Sequence, residues 1–178
     1  MKRTVLLLLA GVLGVLLLAT VGLPSGAGPF ERTRAELRTG KRVVLLDVEL
    51  AQTEDQRARG LMRRRSLARN AGMLFLFDEQ SRGGFWMKNT RIPLSIAFMD
   101  GRGVILRILD MVPCRRNPCP VYDPGVAYSS ALEVNRGAFR RWGASRGDAV
   151  KHGASAVLRE AAGFDPTRSL ISRWSLLP

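Results

Sequence analysis

The sequence predicts a mainly β protein: a compact β sandwich or barrel-like domain with one or two short helices. Three observations predict it. Short runs rich in β-branched and aromatic residues recur through the middle of the chain, turn signals such as Asp100-Gly101 and Gly147-Asp148 separate them, and only two short stretches carry helical signals. At 178 residues, 46% hydrophobic and 24% charged, the chain has material for one domain with a real core, and none of the composition of a disordered protein.

The N-terminus comes first. Met1-Lys2-Arg3 precedes an apolar run from Val5 to Ala19 that continues to Leu23 with Thr20 as its interruption. This is the pattern of a secretory signal, and its length approaches the roughly 20 residues that span a bilayer. Ser25-Gly26-Ala27 offers small residues to a signal peptidase. Residues 1–27 are therefore a cleaved signal or a retained N-terminal membrane anchor. Either way the positive end stays in the cytoplasm, and the rest is exported: periplasmic, extracellular or anchored facing outward. Residues 28–40 read as a linker, 41–152 as the domain, and 153–178 as a C-terminal extension in which A-S-A-V-L-R-E-A-A has the composition of a short helix.

Within the domain, the first strand is expected from Lys41, where K-R-V-V-L-L-D-V-E-L-A alternates at Leu46, Val48 and Leu50. Thr53 and Gln56 form a capping box, Glu54 and Asp55 suit the positive end of a helix dipole, and Ala58, Leu61 and Met62 supply a narrow apolar face. Gly60 inside that helix points to a close backbone contact. Gly72 to Phe77 reads as a buried strand, Phe85-Trp86-Met87 as an extended piece, and Ile92 to Asp100 as a strand that turns into G-V-I-L-R-I-L-D-M-V. A proline-rich loop holds Cys114 and Cys119. Ala127 to Val134 is a strand, Arg136 to Trp142 a helical turn, and Ala149-Val150 the last strand.

The net charge of +13 suggests anionic partners. Nearly all of it is arginine, scattered apart from Arg63-Arg64-Arg65, and no zinc-finger spacing, basic helix with heptads or RNA-binding strand accompanies it. Nucleic acid is not an expected partner. An anionic envelope surface fits better.

The blocks G-L-M at Gly60, G-M-L-F-x-F at Gly72, F-W-M-K-N-T-x-I-P-L at Phe85, Asp100-x-x-Gly103, L-E-V-N-x-G at Leu132 and Gly147-Asp148 occur in the order and spacing of one family. The chain resembles the uncharacterised bacterial and archaeal family called domain of unknown function 192, over roughly Val43 to Val150. The resemblance implies a compact mainly β domain with a small helical part, often exported, and brings no reaction. It also implies an acidic residue where this chain has Ser95, so a mechanism needing a carboxylate there does not transfer.

Candidate site residues gather in and around the F-W-M-K-N-T block. Strand alternation places Trp86 and Lys88 on one face, with Asn89 at the following turn. An aromatic ring beside an ammonium and an amide can line a polar-ligand site, although Asn89 and Thr90 can equally serve a turn while Lys88 reaches solvent. Glu133, mid-strand in A-L-E-V-N, is expected on a solvent face or paired, with Lys88 and Arg57 as the partners; a pocket shared with Glu54 would raise one carboxyl toward acid or base work. Cys114 and Cys119 in an exported chain point to a disulfide stapling the loop. A metal-binding thiolate pair lacks further ligands, since His152 is the single histidine, and no cofactor motif is present. The functional expectation is an exported domain binding a polar, carbohydrate-like or envelope ligand without turnover. The alternatives are a hydrolase or lyase using a glutamate acid/base, and an accessory protein-interaction module.

Overall fold

The computed structural model describes residues 30–153. The expected signal or anchor, the first residues of the linker and the C-terminal extension beyond Gly153 lie outside them, the helix expected there included. Among the described residues, nine strands and two short helices run in the order β1 Glu31–Arg38, β2 Val43–Ala51, α1 Glu54–Arg59, β3 Ala71–Ser81, β4 Phe85–Trp86, β5 Leu94–Met99, β6 Ile105–Met111, β7 Val121–Tyr122, β8 Tyr128–Asn135, α2 Ala138–Trp142 and β9 Ala149–His152. The protein is mainly β, as expected.

β1 corrects the expected linker. E-R-T-R-A-E-L-R alternates, but only Ala35 and Leu37 of its inward positions are apolar, too weak a signal against so many charges. Both are fully buried. β1 pairs antiparallel with β2, Leu37 opposite Val44, and with β9, Leu37 opposite Val150.

Seven strands form one sheet in the order β6-β5-β8-β3-β2-β1-β9, and β4 and β7 form a small sheet beside it. The large sheet curls into a half-barrel rather than pairing with a second layer as in a sandwich. Its edge strands meet at one corner, where Ile105 N–H donates to the Asp148 carbonyl at 2.8 Å and Val150 N–H to the Gly103 carbonyl at 2.9 Å. Gly103 has φ 80°, and a Cβ there would run into the Val150 carbonyl, so the corner requires glycine. β2 and β3 pair in parallel, and the connection between them, α1 followed by a coil, crosses one face of the sheet.

The two faces carry separate cores. Val44, Leu46, Val48, Leu74, Leu132, Val134 and Val150 pack with Phe139 and Trp142 of α2. On the other face Met73, Phe75, Ile96, Phe98, Ala131 and Tyr128 pack beneath Leu61, Met87 and Ile92. Burying both faces explains why β5 reads as a continuous apolar run instead of an alternating one: all six of its residues are buried.

Candidate functional site

Three segments converge on the second face. The capping box forms as expected, but α1 stops at Arg59 instead of running through Gly60, and Ala58 is exposed. Gly60 adopts φ 45° and ψ −135°, backbone that favours glycine. A Cβ on it would stand 3.3 Å from the Phe75 ring, which bears out the expected close contact. The chain thereby crosses β3 and buries Leu61.

The second segment is F-W-M-K-N-T. Met87 turns inward, while Trp86 and Lys88 turn outward on one face, with the Lys88 ammonium 5.1 Å from the Trp86 ring centroid. Asn89 holds left-handed backbone at φ 57°, a conformation asparagine tolerates. Thr90 N–H donates to the Met87 carbonyl at 3.2 Å and the Thr90 hydroxyl to the Lys88 carbonyl at 3.4 Å. Arg63 N–H donates to the Asn89 carbonyl at 2.8 Å, fastening the post-α1 coil to this block. The third segment is β8. Its Asn135 side chain donates to the carbonyls of Leu67 and Ala68, at 3.0 and 2.9 Å, and ties the same coil down.

Where these segments meet, Gly60, Met62, Phe75, Trp86, Thr90 and Glu133 line a cavity of about 30 Å³. Glu133 is 4% exposed and makes no hydrogen bond or ion pair among the described residues. Burial pushes its carboxyl up to about 8, so at neutral pH the group is an uncharged acid, able both to donate and to accept. Trp86, 49% exposed, stands at the outer side.

Several expectations about this site are corrected. Glu133 is neither solvated nor paired: β8 is central in the sheet, and although Arg57 and Arg59 line the same cavity, no hydrogen bond or ion pair joins either of them to its carboxyl. Lys88 lies on Trp86, outside the cavity lining. Arg57 lines the cavity, but its guanidinium donates to the carbonyls of Gln52 and Leu76, the latter at 2.9 Å, and lies 5.1 Å from the Phe77 centroid. Glu54 is exposed at the opposite end of α1 from Gly60 and does not line the cavity, so no pocket joins it to Glu133. Asn89 is exposed, and its backbone carries the contact to Arg63.

Sequence reasoning missed Glu49. Strand register places Glu49, Met73, Glu133 and Ile96 in one row across four strands, hence on one face. Glu49 is the opposite of Glu133: hydrogen bonding from Arg64, with Arg32 nearby, holds its carboxyl below the usual carboxylate range. Alternation places Glu49 with Asp47 on the outward face of β2, but the pairing of β2 with β3, which sets the row, is not local in sequence.

Two further features frame the site. Cys114 and Cys119 form the expected disulfide, and Cys114 N–H donates to the Met87 carbonyl at 3.4 Å, which ties the stapled loop to the F-W-M-K-N-T block. Ser95 lies on the other face of the sheet. Its hydroxyl donates to Asp110 at 2.5 Å and accepts the Gly137 N–H at 2.8 Å, joining β5, β6 and the start of α2.

The comparisons agree with this architecture. The model of the family described as uncharacterised ACR, domain of unknown function 192, matches residues 35–152. A protein of Sinorhizobium meliloti 1021, provisionally labelled a transcription regulator, is 36% identical with a TM-score of 0.66, the match covering 71% of this chain and 98% of that one. A protein of unknown function from Novosphingobium aromaticivorans DSM 12444 is 29% identical with a TM-score of 0.64, covering 68% of this chain and 86% of that one. No curated protein matches. With the family's model matching residues 35–152, most of the described domain, the chain belongs to the family called domain of unknown function 192.

Proposed function

We propose that this is an exported binding domain that takes a neutral, hydroxyl-rich ligand of the carbohydrate class at the opening between Trp86 and Glu133. The observation that carries the reading is the Glu133 carboxyl, 4% exposed and without a hydrogen-bond partner among the described residues, whose oxygens open onto a cavity of about 30 Å³. Natural interiors rarely hold such a group idle, because desolvation without a hydrogen bond costs on the order of 1–3 kcal/mol. The space suits one water or one hydroxyl group, so the ligand inserts a single polar group and leaves the rest outside. There the Trp86 ring supplies the apolar face that a sugar ring stacks on, and Lys88 and Asn89 stand beside it as donors. Export is supported by the apolar N-terminal run and the formed disulfide.

The test is a calorimetric titration of the full chain with glucose, N-acetylglucosamine and maltose, alongside Trp86→Ala and Glu133→Met. At least one saccharide binds the parent, and each substitution weakens it by about 10-fold, the worth of one stacking or hydrogen-bond contact. Variants that bind every saccharide as the parent does, or a parent that binds none, contradict the reading.

A second reading, general-acid chemistry at Glu133, is favoured by the row that places a raised and a lowered carboxyl on one face, since opposed environments of that kind separate acid from base. Turnover of nitrophenyl glycosides, lost in Glu133→Gln, would support it. The transcription label on the Sinorhizobium protein does not guide this reading. The two helices among the described residues have 6 and 5 residues, and neither belongs to a groove-reading motif.

A further inference from the structure

The described chain begins at Phe30 and β1 at Glu31, so residues 24–29 alone separate Leu23 from the folded domain. Six residues reach at most about 20 Å. If the apolar run is retained as an anchor, the domain is held against the bilayer and one of its faces must meet it. Phe30 marks that face. It lines a bowl of about 580 Å³ with Arg32, Arg59 and Arg64, and the Arg59 guanidinium lies 4.5 Å from the Phe30 ring centroid.

Arg59, Gly60 and Met62 line both this bowl and the Glu133 cavity, so the two open along one edge of the domain. The charge there is one-sided. From Arg57 to Arg69 the chain carries six arginines and no acid, and Arg63, Arg65 and Arg69 are exposed. Lys88 and the half-exposed Trp86 adjoin the strip through the Arg63–Asn89 hydrogen bond. Among the described residues the nearby acids are Asp47 and Glu49 on β2, the latter paired with both Arg64 and Arg32, together with Glu31 on β1 and Glu54 and Asp55 at the far end of α1.

We infer that the face carrying Phe30, the arginine strip and Trp86 rests on an anionic lipid bilayer, with the Glu133 opening turned toward the headgroup layer. Arginine and lysine near such a surface are drawn to it, and tryptophan prefers the interface between headgroup and hydrocarbon. The docking stands on charge and chain length. The further statement, that ligands reach Glu133 from the headgroup layer, rests on the binding reading above.

The test reconstitutes the full chain in nanodiscs of phosphatidylcholine alone or mixed with phosphatidylglycerol, each with brominated acyl chains. The Trp86 signal is the difference between the parent and Trp86→Phe, a change at a half-exposed side chain. In anionic discs that signal is quenched about twofold or more beyond its value in neutral discs, and the excess disappears in Arg63→Gln/Arg65→Gln/Lys88→Gln or at high salt. No excess quenching in anionic discs overturns the inference. So does a Trp86 signal equally shielded in both, the result expected if a second copy or residues 154–178 covered the face. A saccharide titration in the same discs separates the two readings: intact sugar binding without lipid quenching removes the docking and leaves the binding site, and the converse removes the site and leaves the docking.

Discussion

The backbone N–H of Arg63 donates to the Asn89 carbonyl at 2.8 Å, and both residues hold left-handed backbone, at φ 62° and 57°. One bond thus fastens the coil after α1 to the F-W-M-K-N-T turn. The two segments so joined both line the cavity beneath, through Gly60 and Met62 on one side and Trp86 and Thr90 on the other. Asn89→Gly should therefore leave stability nearly unchanged, whereas Asn89→Val should cost about 1–2 kcal/mol, because a β-branched residue resists the left-handed region. Urea unfolding of the two variants checks this, and equal midpoints would refute it.

Glu133 makes stability depend on pH in a defined direction. A glutamate in the unfolded chain ionises near 4.5, while the folded protein keeps the Glu133 proton up to about 8. Between those values the folded state binds the extra proton, so the contribution is full below 4.5 and is lost as pH rises through about 8. The parent should lose about 4 kcal/mol relative to Glu133→Gln across that window. His152, whose burial lowers its own ionisation, is the same in both proteins and cancels in the difference. A difference that stays constant from pH 4.5 to 8 contradicts the account.

Ser95 gives a test on the opposite face. Its hydroxyl is the acceptor for the Gly137 N–H and the donor to Asp110. Ser95→Ala strands a buried backbone donor and should cost about 1–3 kcal/mol. Saccharide binding should be unaffected, because Ser95 pairs with Val134 in the sheet and shares no contact with the cavity. Thermal unfolding and calorimetry report the two effects separately.

The disulfide closes a short loop, so its loss should cost about 2 kcal/mol through chain entropy. Because Cys114 N–H bonds the Met87 carbonyl, the double variant Cys114→Ser/Cys119→Ser should also raise hydrogen exchange at the Cys114 amide well above that at Leu132 in β8. Equal exchange in the parent and the variant would show that the loop does not restrain the block.

Much of the fold was legible because its signals are local. The capping box at Thr53, the strand into Asp100-Gly101, the disulfide spacing and the shared face of Trp86 and Lys88 each follow from a few neighbouring residues. β1 was not legible, since it presents two apolar residues among charges and owes its strand to pairing with β2 and β9. The site was half legible. Glu133 and Trp86 stand out in sequence, but of the expected partners Lys88 and Glu54 do not line the cavity, and Arg57 lines it while bonding backbone carbonyls instead of Glu133. What replaces them is set by the crossing of the coil at Gly60, a tertiary contact with Phe75. The row joining Glu49 to Glu133 depends on the parallel pairing of β2 with β3, which no local pattern encodes.

The most direct measurement is a carbon-13 titration of the Glu133 carboxyl in the full chain, recorded with and without the saccharide probes. The account predicts a midpoint near 8 in the free protein and a saturable shift of the signal when a binding saccharide is added. A midpoint near 4.5, or a carboxyl signal that no saccharide moves, would contradict it.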